Sequence, residues 1–196
     1  MPSPIGHALG GLAAGWLVAG RPRDLDGPLH GRASRWRREA LWFAALGLAA
    51  DIDLLFGWHS GPTHSVGAAI LAGLVLLAAQ RAGGLAIHRP FLAGAAAYGS
   101  HPLLDWLGAD NSPPLGVMAF WPLSTDYYIA PAPLLMAISR RYWLPGFLTH
   151  NLRAIALELA LLGPTVALVW LMRRAGRRRR LGEPRGCPGI SGRERV

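Results

Sequence analysis

Seven residues with ligand or proton-transfer chemistry stand at the edges of apolar blocks: His7, Asp51, Asp53, His59, His64, His101 and Asp105. Imidazole nitrogens and carboxylate oxygens of this kind suit zinc, manganese or iron(II). The same groups move protons in hydrolysis. His101 and Asp105 are four apart, so on a helix both project from one face. Asp51 and Asp53 are two apart, which on a continuous α-helix turns them to nearly opposite sides. That spacing predicts either that the helix unwinds there, or that one Asp ligates while the other holds a histidine or a second ion. Pro102 suits only a first helical turn, which predicts a break near Ser100 with His101 at a helix start. Thr63 is placed to cap a helix beginning at His64. His30, His88 and His150 fall in Arg-flanked connections and are read as ordinary polar residues.

The elements that must position these residues are long runs of Ala, Leu, Val and Gly. The chain has 196 residues, 52% of them hydrophobic, and a mean hydropathy of +0.26. Water-soluble domains rarely concentrate apolar residues in such blocks, whereas multi-pass membrane proteins do. The expected fold is therefore all-α: a multi-pass transmembrane helical bundle of about four to six spans, with a polar metal cluster at one membrane face. The blocks run from about 7 to 19, 40 to 56, 64 to 79, 90 to 107 and 153 to 172. The stretch from Gly108 to Asn151 is rich in Pro and aromatics and reads as a re-entrant or interfacial segment with room for one short helix. Its Trp121, Tyr127, Tyr128, Tyr142 and Trp143 suit the headgroup level. Pro164 should kink the last span or be accommodated by a neighbour. The expected organisation is a membrane domain over 1–172 and a disordered, Arg-rich cytoplasmic tail over 173–196.

All 20 basic residues are arginine, and the formal net charge is +9. Six lie between the first and second blocks, two flank the connection after the third, and nine lie in the tail. Seventeen of the 20 thus fall on one side of an alternating topology, which marks that side as cytoplasmic and leaves Arg140, Arg141 and Arg153 opposite. Because the arginines follow the topology, no nucleic-acid partner is expected. The N-terminus has no basic n-region, so no cleavable signal peptide is expected. The single Cys187 excludes an intramolecular disulfide and a cysteine-based metal cage.

The same topology brings His7, Asp51, Asp53, His59, His64, His101 and Asp105 to the face opposite those arginines. A carboxylate in hydrocarbon costs about 2.5–3.5 kcal/mol at a helix centre. One divalent ion would offset several at once. Each residue also has a plain reading: a capping carboxylate for Asp51, a surface group for His7, a loop residue for His59, a buried hydrogen-bonded pair for His101 and Asp105. Their joint placement favours the metal.

The segments Gly6-His7, Asp51-Ile52-Asp53, His59-Ser60-Gly61-Pro62-Thr63-His64-Ser65, Ser100-His101-Pro102-Leu103-Leu104-Asp105 and Phe120-Trp121-Pro122-Leu123-Ser124 resemble the bacterial membrane-bound, metal-dependent hydrolases of the YdjM-like family, some of which are LexA-regulated. They occur in the family's order over about residues 1–125. The resemblance implies a multi-pass inner-membrane hydrolase. Two positions depart from the family pattern: Ser60 stands where many members have Arg, and Leu54 where some have His.

The expected function is metal-assisted hydrolysis of a lipid or lipid-linked substrate, for instance a phosphoester, at the periplasmic face. His7, Asp51, Asp53, His64, His101 and Asp105 would hold one or two divalent ions, zinc first and manganese or iron as alternatives. Asp53 or Asp105 would accept a proton from water, and His59 would protonate the leaving group. The lipid bilayer is the expected partner. The rival reading is a non-enzymatic transporter or proton-coupled protein using the same cluster. The uncharged stretches 41–50 and 66–77 argue against it, and Glu158 argues for it.

Overall fold

The computed structural model describes residues 1–20, 29–57, 60–83, 87–111 and 113–181. His59 and residues 182–196 therefore lie outside the described residues. The described residues contain five α-helices and no strand: α1 (Pro4–Ala19), α2 (Leu29–Leu48), α3 (Val66–Arg81), α4 (Pro90–Leu107) and α5 (Phe147–Leu181). The all-α expectation holds.

Helices α1 and α4 are central. Helix α1 packs on α2, α4 and α5, while α4 packs on α1, α2 and α3. Phe43, Leu76, Ala93 and Ala97 form the buried centre of the core. Small residues set the spacing between helices. A Cβ on Gly11 would lie 2.4 Å from the Phe43 carbonyl oxygen, and one on Gly47 would lie 2.4 Å from that of His7. Helices α1 and α2 thus approach backbone to backbone, as membrane helices do where glycines meet.

Among the described residues, one helix is long and apolar enough to cross a bilayer by length and composition. It is Phe147–Ala175 within α5, and only 11% of its most apolar window is buried inside the protein. A core helix of a soluble protein would be mostly covered. Helices α1 and α3 are apolar but have 16 residues each. That is about 24 Å of helix against a hydrocarbon core of about 30 Å.

Several local expectations are corrected. Helix α4 does not break near Ser100; it runs unbroken through Pro102 to Leu107. Thr63 does not cap the next helix. Thr63 and His64 sit in a short 3₁₀ turn, Pro62–His64, and Ser65 is the cap, accepting from the Ala68 N–H at 3.1 Å. No helix forms between Leu107 and Phe147 among the described residues. That segment folds by single backbone pairings instead, such as the two 2.9 Å bonds exchanged by Val117 and Tyr128. Helix α5 continues past Met172 to Leu181, so the first nine residues of the expected tail are helical. Arg173 belongs to the core: it is buried, donates to Glu39 at 2.8 Å, and stacks over Trp36 at 4.9 Å.

Candidate metal centre

The site is built where four helix ends converge. Helix α1 begins there, capped by Ser3, whose Oγ accepts from the Gly6 N–H at 3.0 Å. That start places His7 in the first two turns. Helix α2 arrives there and tightens into a 3₁₀ helix, Ala49–Phe56. The tightening answers the Asp51/Asp53 spacing. At about 120° per residue, positions two apart diverge by about 120°, against about 160° in an α-helix. Both carboxylates therefore reach the same cluster. His64 enters from the 3₁₀ turn before α3, and His101 and Asp105 from the last two turns of α4.

The structure brings all six described candidates together. His64 Nε2 and His101 Nε2 are 3.2 Å apart. Asp105 Oδ2 lies 3.4 Å from the first and 3.2 Å from the second. Asp51 Oδ1 lies 3.7 and 3.5 Å from the same two atoms. His7 Nε2 meets the other oxygen of Asp105 at 3.3 Å, and its ring stacks on His101 with centroids 3.7 Å apart. The side chains of His64, His101 and Asp105 are fully enclosed, and Asp51 is 25% exposed. Asp51 therefore marks the mouth.

The second ring nitrogens fix the tautomers. His101 Nδ1 lies 2.7 Å from the Gly47 carbonyl oxygen, which can only accept, so Nδ1 carries the proton. Thr63 Oγ1 donates to Asp53 Oδ2 at 2.7 Å and so accepts from His64 Nδ1 at 3.0 Å. Asp53 Oδ2 stands 3.3 Å from that same Nδ1. Tyr98 braces the arrangement by donating to the Thr63 carbonyl at 2.8 Å. In the neutral rings, both Nε2 atoms then present lone pairs to each other at 3.2 Å, among carboxylate oxygens. Such an arrangement requires a proton or a cation. Both oxygens of Asp105 are buried without a hydrogen bond.

The donor set fits a divalent metal. Two ligands about 2.0–2.1 Å from one tetrahedral ion are about 3.3 Å apart, which is the spacing seen here. The histidine–carbonyl and histidine–carboxylate contacts are the outer contacts that orient metal-binding imidazoles. Three overlapping groups could each hold an ion: His7, Asp51 and His101; His64, His101 and Asp105; Asp51, Asp53 and His64. Asp53 stands apart from the other carboxylates in facing His64 Nδ1.

Two features were missed in the sequence. Ser3 and Glu158 secure the start of α1: the Ser3 N–H donates to Glu158 at 2.6 Å, and its hydroxyl donates to the other carboxylate oxygen. Fifteen residues further along α5, Arg173 donates to the Trp16 carbonyl at the end of α1. A serine followed by Pro4 is a helix-start signal that could have revealed the first. Beside the cluster, burial pushes the Met1 ammonium below its ordinary value, while Asp105 and Asp110 oppose that shift.

These elements define an all-helical membrane protein with a buried His/Asp cluster at one end of its helices. The profile of the YdjM inner membrane protein family matches residues 1–176, and the chain belongs to that family. No curated protein and no solved structure matches it.

Proposed function

We propose that the protein is a multi-pass, metal-dependent hydrolase of the inner membrane, with its site at the periplasmic face and a lipid or lipid-linked ester as substrate. The observation that carries this reading is the pair of imidazoles, each with Nδ1 held by an acceptor and Nε2 turned toward the other at 3.2 Å. In this reading all five helices cross the bilayer in alternation, the shorter ones under local thinning. The cluster end carries Arg140, Arg141 and Arg153, and the opposite end receives Arg81, Arg89, Arg173 and Arg174. That bias supports the orientation. The membrane domain then extends through α5, and the cytoplasmic tail follows it.

His64, His101, Asp105 and Asp51 would hold the principal ion, zinc by the ligand chemistry, with manganese or iron as alternatives. His7 would share Asp105 with it or support a second ion. A metal bound here lowers the pKa of a coordinated water toward about 7. Asp53 keeps His64 in one tautomer and so positions it. The proton-accepting role expected of Asp53 or Asp105 passes to Asp51, because Asp105 is fully enclosed and Asp53 nearly so, whereas Asp51 stands at the open side. His59, outside the described residues, keeps the role toward the leaving group that the sequence alone suggests for it. The loop bearing Trp121 is fastened over the start of α3 by the Val66 N–H to Ala119 carbonyl bond at 2.9 Å. In this reading it would be the lid or the acyl-chain contact.

The transporter reading needs polar groups leading away from the cluster. Glu158 was its support, and Glu158 is committed to the backbone and hydroxyl of Ser3. The deciding experiment is metal analysis of the detergent-purified protein beside His64→Ala and His101→Ala, followed by assay against phosphoester and lipid substrates. Equal, negligible metal in all three proteins would remove the site. Bound metal without hydrolysis of any substrate in a broad panel would leave a structural metal protein.

A further inference from the structure

A concave feature lies beside the cluster. It is a cavity of about 390 Å³ whose lining includes Arg140, Arg141, His150, Ile138, Leu144 and Phe147. Its position is fixed by three connections. The Met1 ammonium, also in the lining, donates to the Ala109 carbonyl, one turn beyond Asp105. The Ile138 N–H donates to the Met1 carbonyl at 3.0 Å. His150 is held against the Ala137 carbonyl at 2.8 Å by Nε2, which therefore carries the proton. The cavity thus shares the end of the bundle with the metal centre and sits at the start of α5.

Its lining divides by chemistry. Arg140 and Arg141 both belong to the lining, and the first turn of α5 adds the positive end of a 35-residue helix. Guanidinium forks match phosphate oxygens bidentately. Ile138, Leu144 and Phe147 supply an apolar wall. Below it, the exposed Leu148 and Leu152 continue down α5, the helix long enough to cross a bilayer. Above it, Tyr142 and Trp143 are 76% and 66% exposed, the pairing of ring and water expected at headgroup depth. Asp110, also in the lining, accepts from the Gly116 N–H at 3.0 Å and is the one carboxylate among the described lining residues.

We propose that this cavity binds the phosphate group of a membrane lipid or lipid-linked molecule, with Arg140 and Arg141 on the phosphate and Leu144 and Phe147 on the adjoining apolar part. The inference names the substrate class for the hydrolase reading and rests on it for its purpose. The binding itself needs no turnover.

The test uses the full chain in phosphatidylcholine nanodiscs and titrates short-chain phosphatidate, with inorganic phosphate as competitor. Wild type should bind the lipid saturably, Arg140→Gln/Arg141→Gln should weaken binding at least tenfold, and Arg37→Gln on α2 should not. Ile138→Trp, which narrows the cavity at its apolar wall while keeping both arginines, should weaken binding as well. Metal content, measured on the same samples, should be unchanged in all variants. Wild-type affinity in both cavity variants would overturn the proposal. Inorganic phosphate competing as well as the lipid would assign the cavity to free phosphate and overturn the lipid assignment. Loss of metal with retained lipid binding would strike the hydrolase reading and leave this one standing.

Discussion

His101 donates its Nδ1 proton to the Gly47 carbonyl at 2.7 Å, across the contact between α4 and the end of α2. This bond aims Nε2 at His64, Asp51 and Asp105, and it makes the site depend on how closely those helices pack. His64→Ala and His101→Ala should each abolish stoichiometric metal, read by mass-spectrometric metal analysis. Chelation of wild type should lower its melting temperature in detergent. Metal present at a thousandfold over its dissociation constant stabilises the folded state by about 4 kcal/mol. A chelated protein that melts with the untreated one would contradict a metal tied to this fold.

Asp51 and Asp53 should separate in the same assay. Asp53 faces His64 Nδ1 and Thr63, so Asp53→Asn should keep the metal with about 10–100-fold weaker affinity. Asp51 faces both Nε2 atoms, so Asp51→Asn should lose more. Competition with a chelator of known affinity measures both. Equal losses, or a larger loss for Asp53, would reverse the assigned roles.

Much of this site was legible because its residues interrupt apolar blocks, where a polar side chain needs a reason. The alternation of blocks and arginines then placed His7, Asp51, Asp53, His64, His101 and Asp105 at one end. What escaped was set by tertiary packing. Pro102 reads as a helix start, yet α4 continues through it with both neighbouring turns buried against α1 and α3. Thr63 and Ser65 are both good caps by type. Only the 3₁₀ turn decides that Ser65 caps α3 while Thr63 turns to Asp53. Glu39 and Arg173 sit next to arginine-rich stretches and look like solvated charge, and no local pattern shows that 134 residues of separation close into one buried pair.

That pair supplies a stability prediction. Arg173→Ala should destabilise by about 3–5 kcal/mol, because Glu39 is left buried and charged. Replacing both, as Glu39→Leu/Arg173→Met, should recover most of the loss. Thermal unfolding in detergent provides the comparison. A double variant less stable than Arg173→Ala would mean that the charges contribute more than their mutual pairing.

The approach of α1 to α2 gives the last prediction. A Cβ on Gly47 would stand 2.4 Å from the His7 carbonyl oxygen and 2.9 Å from Gly11 Cα, both backbone atoms that cannot swing aside. Gly47→Ala must therefore push the helices apart. Overpacking of this kind costs about 1–3 kcal/mol. It should also cost metal affinity, because the Gly47 carbonyl, displaced with α2, is the partner of His101 Nδ1 and the displaced α1 carries His7. Gly163→Ala on α5 is the matched control: nothing lies within 4 Å of its Cβ position, and alanine favours a helix over glycine by about 1 kcal/mol. That variant should bind metal as wild type does and melt no lower. If Gly47→Ala weakens folding but leaves metal affinity untouched, the Gly47 carbonyl does not orient His101.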